Sequence, residues 1–299
     1  MSRPKVVIII LQYNNSQDTI RCLNSVKEFD YANYNIITVD NASNSKDFNN
    51  LRFFIESVKD PNLTLMPSEQ NLGYAGGNNL GIKQAIENGS DYVFILNPDT
   101  IVEKNTLTKL IEAGESNSKI GILGPAIDEG QHTIYGGKIG WLKPELAHNE
   151  IKPITYNPKP KIYVIGAAML IKRQVIEKIG LLNERYFLYF EDADYCVRAM
   201  RSGYQMALAS EVKVTHDVSA STSQLGSALL LRYHFRNAHL FNWKNGPWYI
   251  KLALPFWSIF IIIKQLIKLA FAPSKREVSR SILTGVIDFY KNKLGKINV

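Results

Sequence analysis

The stretch Val6-Val7-Ile8-Ile9-Ile10-Leu11, followed directly by Gln12-Tyr13-Asn14-Asn15, decides the fold. A continuous run of apolar, mostly β-branched residues is typical of a strand that is buried on both faces in a parallel sheet. The polar residues after it mark the carboxyl end of that strand, and residues 14–16 can cap a helix that begins near Gln17. The stretch therefore predicts the first strand and the first helix of an α/β domain.

The same alternation of strand and helix patterns continues through the first hundred residues. Further strands are predicted at 35–39, 63–66 and 92–96, and helices at 17–29, 48–57 and 78–87. This order predicts βαβ units with right-handed crossovers, and hence a mostly parallel, doubly wound sheet flanked by helices. Ligands bind such sheets at the carboxyl ends of the strands. The polar clusters 13–15, 40–41 and 97–99 fall at these ends, so we expect them to converge.

The pattern loosens after Thr100 but remains that of a folded α/β chain. Helices are predicted at 107–115, 173–179 and 191–202, and strands at 120–125, 163–171 and 205–215. Residues 128–160 are rich in Gly, Pro, Asn and Lys, a composition that predicts loops or a weak hairpin.

Composition and charge narrow the class of protein without identifying it. The 299 residues carry 35 Lys and Arg against 27 Asp and Glu, a formal net charge of +8. A basic surface can serve nucleic acid, anionic lipid or phosphorylated small molecules, but no nucleic-acid-binding motif is present. Cys22 and Cys196 form neither a metal-ligand pair nor a disulfide framework, and no signal peptide pattern follows Met1. These features predict a cytosolic protein.

Two carboxylates lie at predicted strand ends. Asp99, in Asn97-Pro98-Asp99, can bind a divalent cation and through it a diphosphate, because Mg²⁺ and Mn²⁺ favour oxygen ligands. Asp40 can accept hydrogen bonds from a ribose or a base edge. Each also has a structural alternative, since Asn97-Pro98-Asp99 is typical of a turn and Asp40-Asn41-Ala42-Ser43 of a helix cap.

A glycine-rich segment, Asn71-Leu72-Gly73-Tyr74-Ala75-Gly76-Gly77-Asn78-Asn79, lies ahead of a predicted helix. Clustered glycines let a backbone approach a ligand closely and present its N–H groups. The segment does not fit the dinucleotide-binding pattern, and no Gly-Lys-Ser/Thr follows, so it is not a P-loop. We expect a turn at 73–77 that leads into the helix.

An acidic cluster, Glu191-Asp192-Ala193-Asp194, follows the aromatic stretch Tyr186-Phe187-Leu188-Tyr189-Phe190. A carboxylate beside aromatic side chains can have a raised pKa and act as a general base. The alternative is the acidic first turn of a helix, which the helix dipole favours. His216, after the last predicted strand, can be a metal ligand or a structural histidine.

Taken in order, these motifs resemble glycosyltransferase family 2. The matching segments are Val7-Ile8-Ile9-Ile10 with Tyr13-Asn14, Val39-Asp40-Asn41-Ala42-Ser43, Asn71 with Gly73-Tyr74-Ala75-Gly76-Gly77-Asn78, Leu96-Asn97-Pro98-Asp99, Gly166-Ala167-Ala168, Phe190-Glu191-Asp192-Ala193-Asp194 and His216. The resemblance covers about residues 4 to 240. Its specificity lies in the ordered set, since each piece by itself is weak.

The resemblance implies a GT-A fold with a nucleotide-binding half at 1–100 and an acceptor-binding half at 101–240, followed by a C-terminal helical region at 241–299. It implies metal-assisted, inverting sugar transfer, with Asp192 as the catalytic base and Glu191 as the second candidate. A divalent metal, Mg²⁺ or Mn²⁺, would rest on Asp99 and His216, because Asn97 replaces the first acid of the family's D-x-D motif. The implied nucleotide-sugar-binding residues are Tyr13, Asn14, Asp40, Asn41, Asn71, Gly73, Gly76, Gly77, Asn78, Asn97 and Asp99. The implied acceptor-binding residues are Gly166, Ala167 and Arg236.

The glycine-rich segment and Arg232-Tyr233-His234-Phe235-Arg236-Asn237 look most like the rhamnosyltransferase branch of the family. This branch implies a dTDP-rhamnose donor and a saccharide or lipid-linked acceptor in the synthesis of bacterial surface polysaccharide, with a UDP-hexose donor still open. Two other classes compete. A sugar nucleotidyltransferase is disfavoured because Gln12-Tyr13-Asn14-Asn15 contains no glycine, and a non-catalytic binding protein would not need Asp99, Asp192 and His216.

The C-terminal region contains the apolar run Leu252–Ile263, with lysines at 251, 264 and 268 and tryptophans at 243, 248 and 257. About 20 apolar residues are needed to span a bilayer, so a run of this length predicts no span. It suits an interfacial helix on the inner face of the cytoplasmic membrane. The alternatives are a helix packed on the catalytic domain or a contact in a homodimer.

Overall fold

A computed structural model describes residues 3–141, 145–150, 162–217 and 227–298. The strands are β1 (Val6–Gln12), β2 (Tyr34–Asp40), β3 (Leu63–Pro67), β4 (Tyr92–Leu96), β5 (Thr100–Val102), β6 (Ile120–Asp128), β7 (Thr133–Ile134), β8 (Gly137–Gly140), β9 (Glu145–His148), β10 (Ile162–Tyr163), β11 (Ala168–Lys172) and β12 (Gln205–His216). The helices are α1 (Ser16–Lys27), α2 (Ser45–Val58), α3 (Gly73–Glu87), α4 (Thr106–Glu115), α5 (Arg173–Ile179), α6 (Glu191–Arg201), α7 (Ser227–Asn245), α8 (Trp248–Phe271) and α9 (Arg276–Tyr290).

The main sheet has the strand order β3-β2-β1-β4-β11-β6-β12-β5. Its first four strands are parallel, as the alternating pattern predicts. Beyond them the sheet becomes mixed, because β11 runs antiparallel to both β4 and β6, and β12 is parallel to β6 but antiparallel to β5. The α/β class is therefore confirmed, and the parallel pairing is confined to β1–β4 and the β6–β12 pair. Strands β8, β9 and β10 form a small second sheet.

Strand β1 is buried on both faces, as its unbroken apolar sequence predicts. Val6, Ile8 and Ile10 pack into one hydrophobic cluster. The alternate side chains of the strand, which point to the other face of the sheet, pack into a second cluster. The two clusters occupy opposite faces of the sheet, which is the arrangement of a sheet covered by helices on both sides.

Three predicted elements differ from those observed. Helix α3 begins at Gly73, so the glycine-rich segment is its first turns and not a turn ahead of it. The strand predicted at 163–171 is divided into β10 and β11, and Gly166 and Ala167 lie in the break. Residues 128–160, predicted as loops or a weak hairpin, include β7, β8 and β9, while 142–144 and 151–160 lie outside the described residues.

Beyond these three, a fourth difference concerns the C-terminal apolar segment. The predicted run of 252–263 is part of α8, a helix of 24 residues. By length and composition this helix could cross a membrane, so the expectation that it is too short to span was wrong. Lys264 and Lys268 interrupt the apolar run without ending the helix, so the apolar run in the sequence is shorter than the helix.

Candidate active site

Asp40 lies at the carboxyl end of β2 with 2% of its surface exposed. Its Oδ2 accepts a hydrogen bond from Gln12 Nε2 at 2.5 Å, and its Oδ1 accepts one from the Ser43 backbone N–H at 3.0 Å. Gln12 lies directly beside Asp40 in the parallel register of β1 and β2. The carboxylate is therefore fixed in orientation before any ligand binds. Gln12 was not predicted as part of this site, although the last residue of the first strand lies at the edge of the sheet where ligands bind.

The loop after β1 contacts the loop after β2. The backbone N–H of Asn14, a residue with φ of 52°, donates to Ser43 Oγ at 2.9 Å. Asn14 Oδ1 accepts a hydrogen bond from the Asn44 backbone N–H at 2.7 Å. Tyr13, next to Asn14, is half-buried at the same strand end. The structure thus brings Tyr13, Asn14 and Asp40 together, as predicted for the strand ends.

Asn41 joins the end of β2 to the start of α3. Its Nδ2 donates to Asn71 Oδ1 at 3.1 Å and to the Gly73 carbonyl at 3.2 Å. Its Oδ1 accepts a hydrogen bond from the Leu72 backbone N–H at 2.9 Å. Both asparagines are therefore placed at the predicted site, where they fix the position of the helix N-terminus.

The glycines of α3 allow close packing within the protein. Gly73 has φ of +72°, and a Cβ at this position would lie 2.4 Å from the carbonyl oxygen of Phe187. A Cβ on Gly77 would lie 2.4 Å from Leu11 Cδ1, and one on Gly76 would lie 2.8 Å from Leu72 Cβ. On the side where a Cβ would lie, the space beside these glycines is filled by Phe187, Leu11 and Leu72. That the backbone N–H groups of Gly73, Gly76 and Gly77 approach a nucleotide sugar stays a prediction.

Asn78 is buried within α3, where its Nδ2 donates to the Tyr74 carbonyl at 2.9 Å. Its Oδ1 has no hydrogen-bond partner among the described residues. A buried amide oxygen without a partner is costly in a folded protein, so this position is open to a donor group from a ligand or from water.

Asp99 and His216 come together through the pairing of β5 with β12, in which His216 lies opposite Thr100. His216 Nε2 is 3.3 Å from Asp99 Oδ1 and 3.4 Å from Asn97 Nδ2. Asp99 is 6% exposed. The predicted metal ligands are therefore adjacent, although 116 positions or more separate His216 from the Asn97-Pro98-Asp99 turn in the sequence.

The surroundings of His216 are acidic. Burial lowers the pKa of His216, but the hydrogen bond and charge of Asp99, with the charge of Glu129, raise it above its ordinary value. Glu129 Oε1 lies 3.6 Å from His216 Nδ1, on the other nitrogen of the ring. Nothing in the sequence around Glu129 marked it as part of this site.

A carboxylate and an imidazole are suitable donors for a divalent cation. Within the described ranges, no group of three or more His, Cys, Asp or Glu side chains could hold a metal ion. Asp99 and His216 therefore fit a cation that takes its other ligands from a bound diphosphate and water, as Mg²⁺ commonly does in nucleotide sites. Glu129, next to Nδ1, stands where a carboxylate would orient the ring of a metal-binding histidine.

Asp192 lies in the first turn of α6 and is half-buried. Its Oδ2 accepts a hydrogen bond from the Gly166 backbone N–H at 3.0 Å, and its Oδ1 accepts one from the Ala193 N–H at 2.7 Å. Burial raises the pKa of Asp192 above its ordinary value, and these two N–H groups oppose that increase. An oriented carboxylate with a raised pKa is suited to general-base catalysis.

Glu191 is more buried than Asp192, with 5% of its surface exposed. Burial, followed by the charge of Asp192, raises the pKa of Glu191 well above its ordinary value. Its Oε2 has no hydrogen-bond partner within the described part of the chain. The two predicted catalytic carboxylates are therefore adjacent but differ in access, and Asp192 is the one that a substrate can reach more easily.

Gly166 and Ala167 connect Asp192 to the Asn97-Pro98-Asp99 turn. The Ala167 carbonyl accepts a hydrogen bond from the Asn97 N–H at 2.9 Å, and the Gly166 carbonyl accepts one from the Tyr74 hydroxyl at 2.6 Å. Burial, and then the charges of Glu191, Asp192 and Asp99, raise the pKa of Tyr74 well above its ordinary value. The hydrogen bonds of Gly166 and Ala167 thus connect Tyr74, Asp192 and the Asn97-Pro98-Asp99 turn. Tyr74 stood in the glycine-rich motif, but its role was missed.

Arg236 does not join this site. Its side chain is fully buried in α7, and its Nη2 donates to the Tyr186 carbonyl at 3.0 Å. Its Nη1 donates to the Gly295 carbonyl at 2.8 Å, and its Nε donates to Asn237 Oδ1 at 3.0 Å. The expectation that Arg236 binds the acceptor is therefore corrected, because a guanidinium with no exposed surface cannot contact one.

Asn237, next to Arg236, holds the loop that precedes Glu191 and Asp192. Its Nδ2 donates to the carbonyls of Tyr186, Leu188 and Tyr189 at 2.8, 2.7 and 3.2 Å. In this loop the φ angles of Phe187, Tyr189 and Phe190 are 64°, 71° and 75°. Such angles are costly for bulky side chains and persist only where the surroundings impose them. The motif at 232–237 could be recognised in the sequence, but the contacts of Asn237 with this loop could not be predicted from it.

The family model for glycosyl transferase family 2 matches residues 7–180. The chain therefore belongs to glycosyl transferase family 2, and it is a glycosyltransferase. The low-salt glycan biosynthesis hexosyltransferase Agl10 of Haloferax volcanii is 29% identical over 78% of this chain and 74% of its own length. The N-acetylglucosaminyl-diphospho-decaprenol L-rhamnosyltransferase of Mycobacterium tuberculosis is 24% identical over 69% of this chain and 78% of its own length.

A third relative, the dTDP-rhamnosyl transferase RfbF of Shigella flexneri, is 20% identical over 95% of this chain and 94% of its own length. Among solved structures, the mannosyltransferase PcManGT from Pyrobaculum calidifontis, in complex with GDP-Man and Mn²⁺, superposes with a TM-score of 0.60 at 15% identity. That match covers 98% of this chain and 89% of the mannosyltransferase. The predicted GT-A fold and the resemblance to the rhamnosyltransferase branch are confirmed.

Proposed function

We propose that this glycosyltransferase transfers rhamnose from dTDP-rhamnose to a saccharide or lipid-linked acceptor in the synthesis of a cell-surface polysaccharide, with inversion at the anomeric carbon. The observation that carries the proposal is the Asp192 carboxylate, oriented by Gly166 and linked through Ala167 to the Asp99–His216 pair. Two relatives are named as rhamnosyltransferases, and one of these names includes a lipid diphosphate acceptor.

The donor half of the site follows from the strand ends. Asp40, held by Gln12, would accept hydrogen bonds from the base or ribose, with Tyr13 and Asn14 beside it. Asp99 and His216 would hold a divalent cation. When bound, such an ion stabilises the negative charge that develops on the departing nucleoside diphosphate.

The chemistry requires one base. Asp192 would remove the proton from an acceptor hydroxyl while that oxygen forms a bond to the anomeric carbon. The bond from this carbon to the diphosphate oxygen breaks at the same time, so one displacement inverts the configuration. The hydrogen bonds from the N–H groups of Gly166 and Ala193 keep the carboxylate in a single orientation for this proton transfer.

A second donor is supported by one observation. The Haloferax relative, which is more similar to this chain than either rhamnosyltransferase, is named a hexosyltransferase. A UDP-hexose is therefore the second candidate donor, used with the same base and the same metal ligands.

The test is a turnover assay with dTDP-rhamnose and UDP-glucose, each offered with N-acetylglucosaminyl-diphospho-polyprenol. The proposal expects free dTDP in proportion to rhamnosylated product, and formation of UDP instead would assign the hexose donor. Asp192→Asn should retain donor binding, measured by thermal shift, and lose about 10²–10⁴-fold in rate. Absence of glycosylated product with both donors would refute the proposed acceptor. Equal turnover by Asp192→Asn would refute the proposed base.

We also propose that α8 places the enzyme on a membrane surface. One side of α8 packs through Ile250, Leu254, Ser258, Ile261 and Gln265. Much of the remaining surface consists of large, exposed apolar side chains, namely Trp248, Tyr249, Leu252, Phe256, Ile259, Phe260, Ile263, Leu266, Ile267 and Phe271. Lysines are its charged residues, which suits anionic lipid.

The polar contacts of α8 favour an orientation along the membrane surface. His239 Nε2 lies 3.1 Å from Ser258 Oγ, and Ser279 Oγ donates to Gln265 Oε1 at 3.0 Å. A helix inserted across the bilayer by itself would lose these contacts with α7 and α9. A helix lying in the interface keeps them and buries its other side in lipid.

Vesicle flotation with the full chain tests this location. The wild-type protein should float with anionic vesicles at low salt, and Phe256→Glu should reduce the floating fraction. Phe53→Glu, at an exposed phenylalanine of α2, is the matched control and should float like the wild type. If the wild type stays in solution as a dimer that Phe256→Glu dissociates, α8 is a subunit contact and the membrane proposal is wrong.

A further inference from the structure

A cavity of about 370 Å³ lies between the C-terminal helices and the loop that precedes α6. Pockets for small ligands commonly have volumes of about 300 to 1,000 Å³. The lining is mostly apolar, with positive charge from Arg185 and Lys244. The apolar lining residues are Leu240, Trp243, Leu254, Pro255, Phe289 and Leu294. None of the residues assigned to the donor, the metal or the base lines this cavity.

The positive charge of Lys244 is only partly neutralised. Its Nζ lies 3.8 Å from Asp194 Oδ1, and Arg198 Nε lies 2.9 Å from Asp194 Oδ2. The Asp194 side chain is fully buried. Two cations therefore share one buried carboxylate, and Lys244, with a third of its side chain exposed, keeps charge available at the cavity.

Arg185 supplies a second positive charge. It is exposed, and its Nη2 donates to the neutral amide oxygen of Asn292 at 3.0 Å. The adjacent carboxylate in the sequence, Glu184, accepts a hydrogen bond from Asn79 Nδ2 at 2.9 Å. The cavity thus combines an apolar interior with two cationic side chains, which is complementary to an anionic amphiphile.

The cavity shares two lining residues, Leu254 and Pro255, with α8, the helix that we propose to lie on the membrane. Leu252, one helical turn before Pro255, and Phe256, next to it, are exposed. Trp243, in α7, is 54% exposed. The apolar lining therefore adjoins apolar side chains of α8 that we propose to contact lipid.

We propose that this cavity binds the phosphate-proximal part of the lipid chain of a lipid-linked acceptor, with Arg185 and Lys244 at its phosphate groups. The acceptor is favoured over bulk phospholipid because the cationic side of the cavity adjoins the catalytic helix. Lys244 contacts Asp194 of α6, the helix whose first turn contains Asp192, and Arg185 lies in the loop that leads into this helix. The inference rests on the lipid-linked acceptor of the proposed function.

The kinetic test compares acceptors with the same saccharide diphosphate on a long polyprenyl chain or on a short, water-soluble alkyl chain. The double variant Arg185→Gln/Lys244→Gln should raise KM for the long-chain acceptor on the order of tenfold, since charge-assisted contacts to phosphate are lost. Its kcat and its KM for the donor should stay unchanged. Leu294→Trp, which fills the apolar part, should raise KM for the long-chain acceptor only. Lys296→Gln, an exposed lysine outside the cavity lining, is the matched control.

Each other outcome has a defined meaning. If the double variant weakens flotation with anionic vesicles but leaves KM for the long-chain acceptor unchanged, the cavity binds bulk phospholipid and the inference is overturned. Equal KM changes for the long and short acceptors in Leu294→Trp would also overturn it, because the apolar part of the cavity would then not hold the lipid chain.

Direct binding separates this inference from the proposed function. Polyprenyl monophosphate in detergent, measured by native mass spectrometry, should bind the wild type and Lys296→Gln but not the double variant. This result is expected even if the wild type turns over neither acceptor, in which case only the proposed function fails. Equal binding by all three proteins, or binding by none, would overturn the cavity assignment.

Discussion

The Asp192 carboxylate accepts a hydrogen bond of 3.0 Å from the backbone N–H of Gly166, a residue 26 positions earlier in the chain. The carbonyl of the same glycine accepts the Tyr74 hydroxyl, and the next carbonyl accepts the Asn97 N–H. A short break between β10 and β11 therefore links Asp192, the glycine-rich helix α3 and the turn that contains Asp99. In this break the donor and the acceptors are backbone groups of Gly166 and Ala167, which a change of side chain does not remove. A test therefore has to change the backbone geometry.

Gly166→Ala should lower kcat. A Cβ at this position would lie 2.8 Å from the Tyr74 hydroxyl oxygen, so either the tyrosine or the backbone that orients Asp192 has to move. Overpacking of this kind typically costs about 1–3 kcal/mol in the free energy of unfolding. Tyr74→Phe removes the obstructing oxygen, so the double variant should recover part of the lost kcat. Steady-state kinetics and urea unfolding of the two single variants and the double variant measure this coupling, and purely additive losses would contradict it.

The rate should fall at acidic pH with an apparent pKa above that of an ordinary aspartate. Burial raises the pKa of Asp192, and only its deprotonated form can accept a proton. As pH decreases through this raised pKa, the base becomes protonated and kcat declines. The pH dependence of kcat, measured with saturating donor and acceptor, gives the apparent pKa of this decline. An acidic limb at the pKa of an exposed aspartate would show that the burial has no effect on the working base.

Glu191→Gln should stabilise the folded protein more at neutral pH than at acidic pH. Burial raises the folded-state pKa of Glu191, so the wild type retains the most stability below the ordinary glutamate pKa and loses it as pH rises towards the folded value. Glutamine has no charge to bury, so the free energy of unfolding of the variant does not decrease over this pH range for the same reason. Urea unfolding at about pH 4 and about pH 7.5 compares the two proteins. An equal difference in the free energy of unfolding at both pH values would contradict the prediction.

Turnover should require a divalent cation held by Asp99 and His216. Excess chelator should abolish product formation, and Mn²⁺ or Mg²⁺ should restore it. His216→Ala should need a higher Mn²⁺ concentration for half-maximal rate, because one of the two protein ligands is lost. Thermal shift with dTDP should show a Mn²⁺-dependent increase in melting temperature that Asp99→Ala abolishes. Full activity in excess chelator would remove the metal from the mechanism.

Asn237→Ala should reduce kcat more than it changes KM for the donor. The substitution leaves the carbonyls of Tyr186, Leu188 and Tyr189 without their shared donor, and the strained loop ahead of Glu191 loses its restraint. An unsatisfied buried polar group costs about 1–3 kcal/mol. Asn242→Ala, at a buried asparagine of the same helix, is the control for general loss of stability. Similar kinetics for both variants would show that Asn237 has no particular role in positioning the loop.

The sequence by itself determined the parallel part of the sheet, in the first hundred residues, and the residues that gather at its strand ends. Strand β1 could be predicted because both sets of its alternating side chains are apolar, which is possible only for a strand covered on both faces. The convergence of Asn14 and Asp40 follows from parallel pairing, since consecutive parallel strands end on the same edge of a sheet. The family could be predicted because the motifs, each weak by itself, occur in the order that is typical of the family.

Only the tertiary structure decided what several of these residues do. Whether the glycines of α3 face a ligand or a neighbouring strand depends on how closely the helix packs, and Leu11 fills the space at Gly77. Arg236 looks like a ligand-binding cation in the sequence, yet the C-terminal segment buries it completely. His216 reaches Asp99 because the end of β12 pairs with β5, which follows the Asn97-Pro98-Asp99 turn. The periodicity of a sequence predicts which side chains share a face of one helix or strand. These contacts join segments that are far apart in the chain. They depend on the packing of the whole sheet, which local periodicity does not contain.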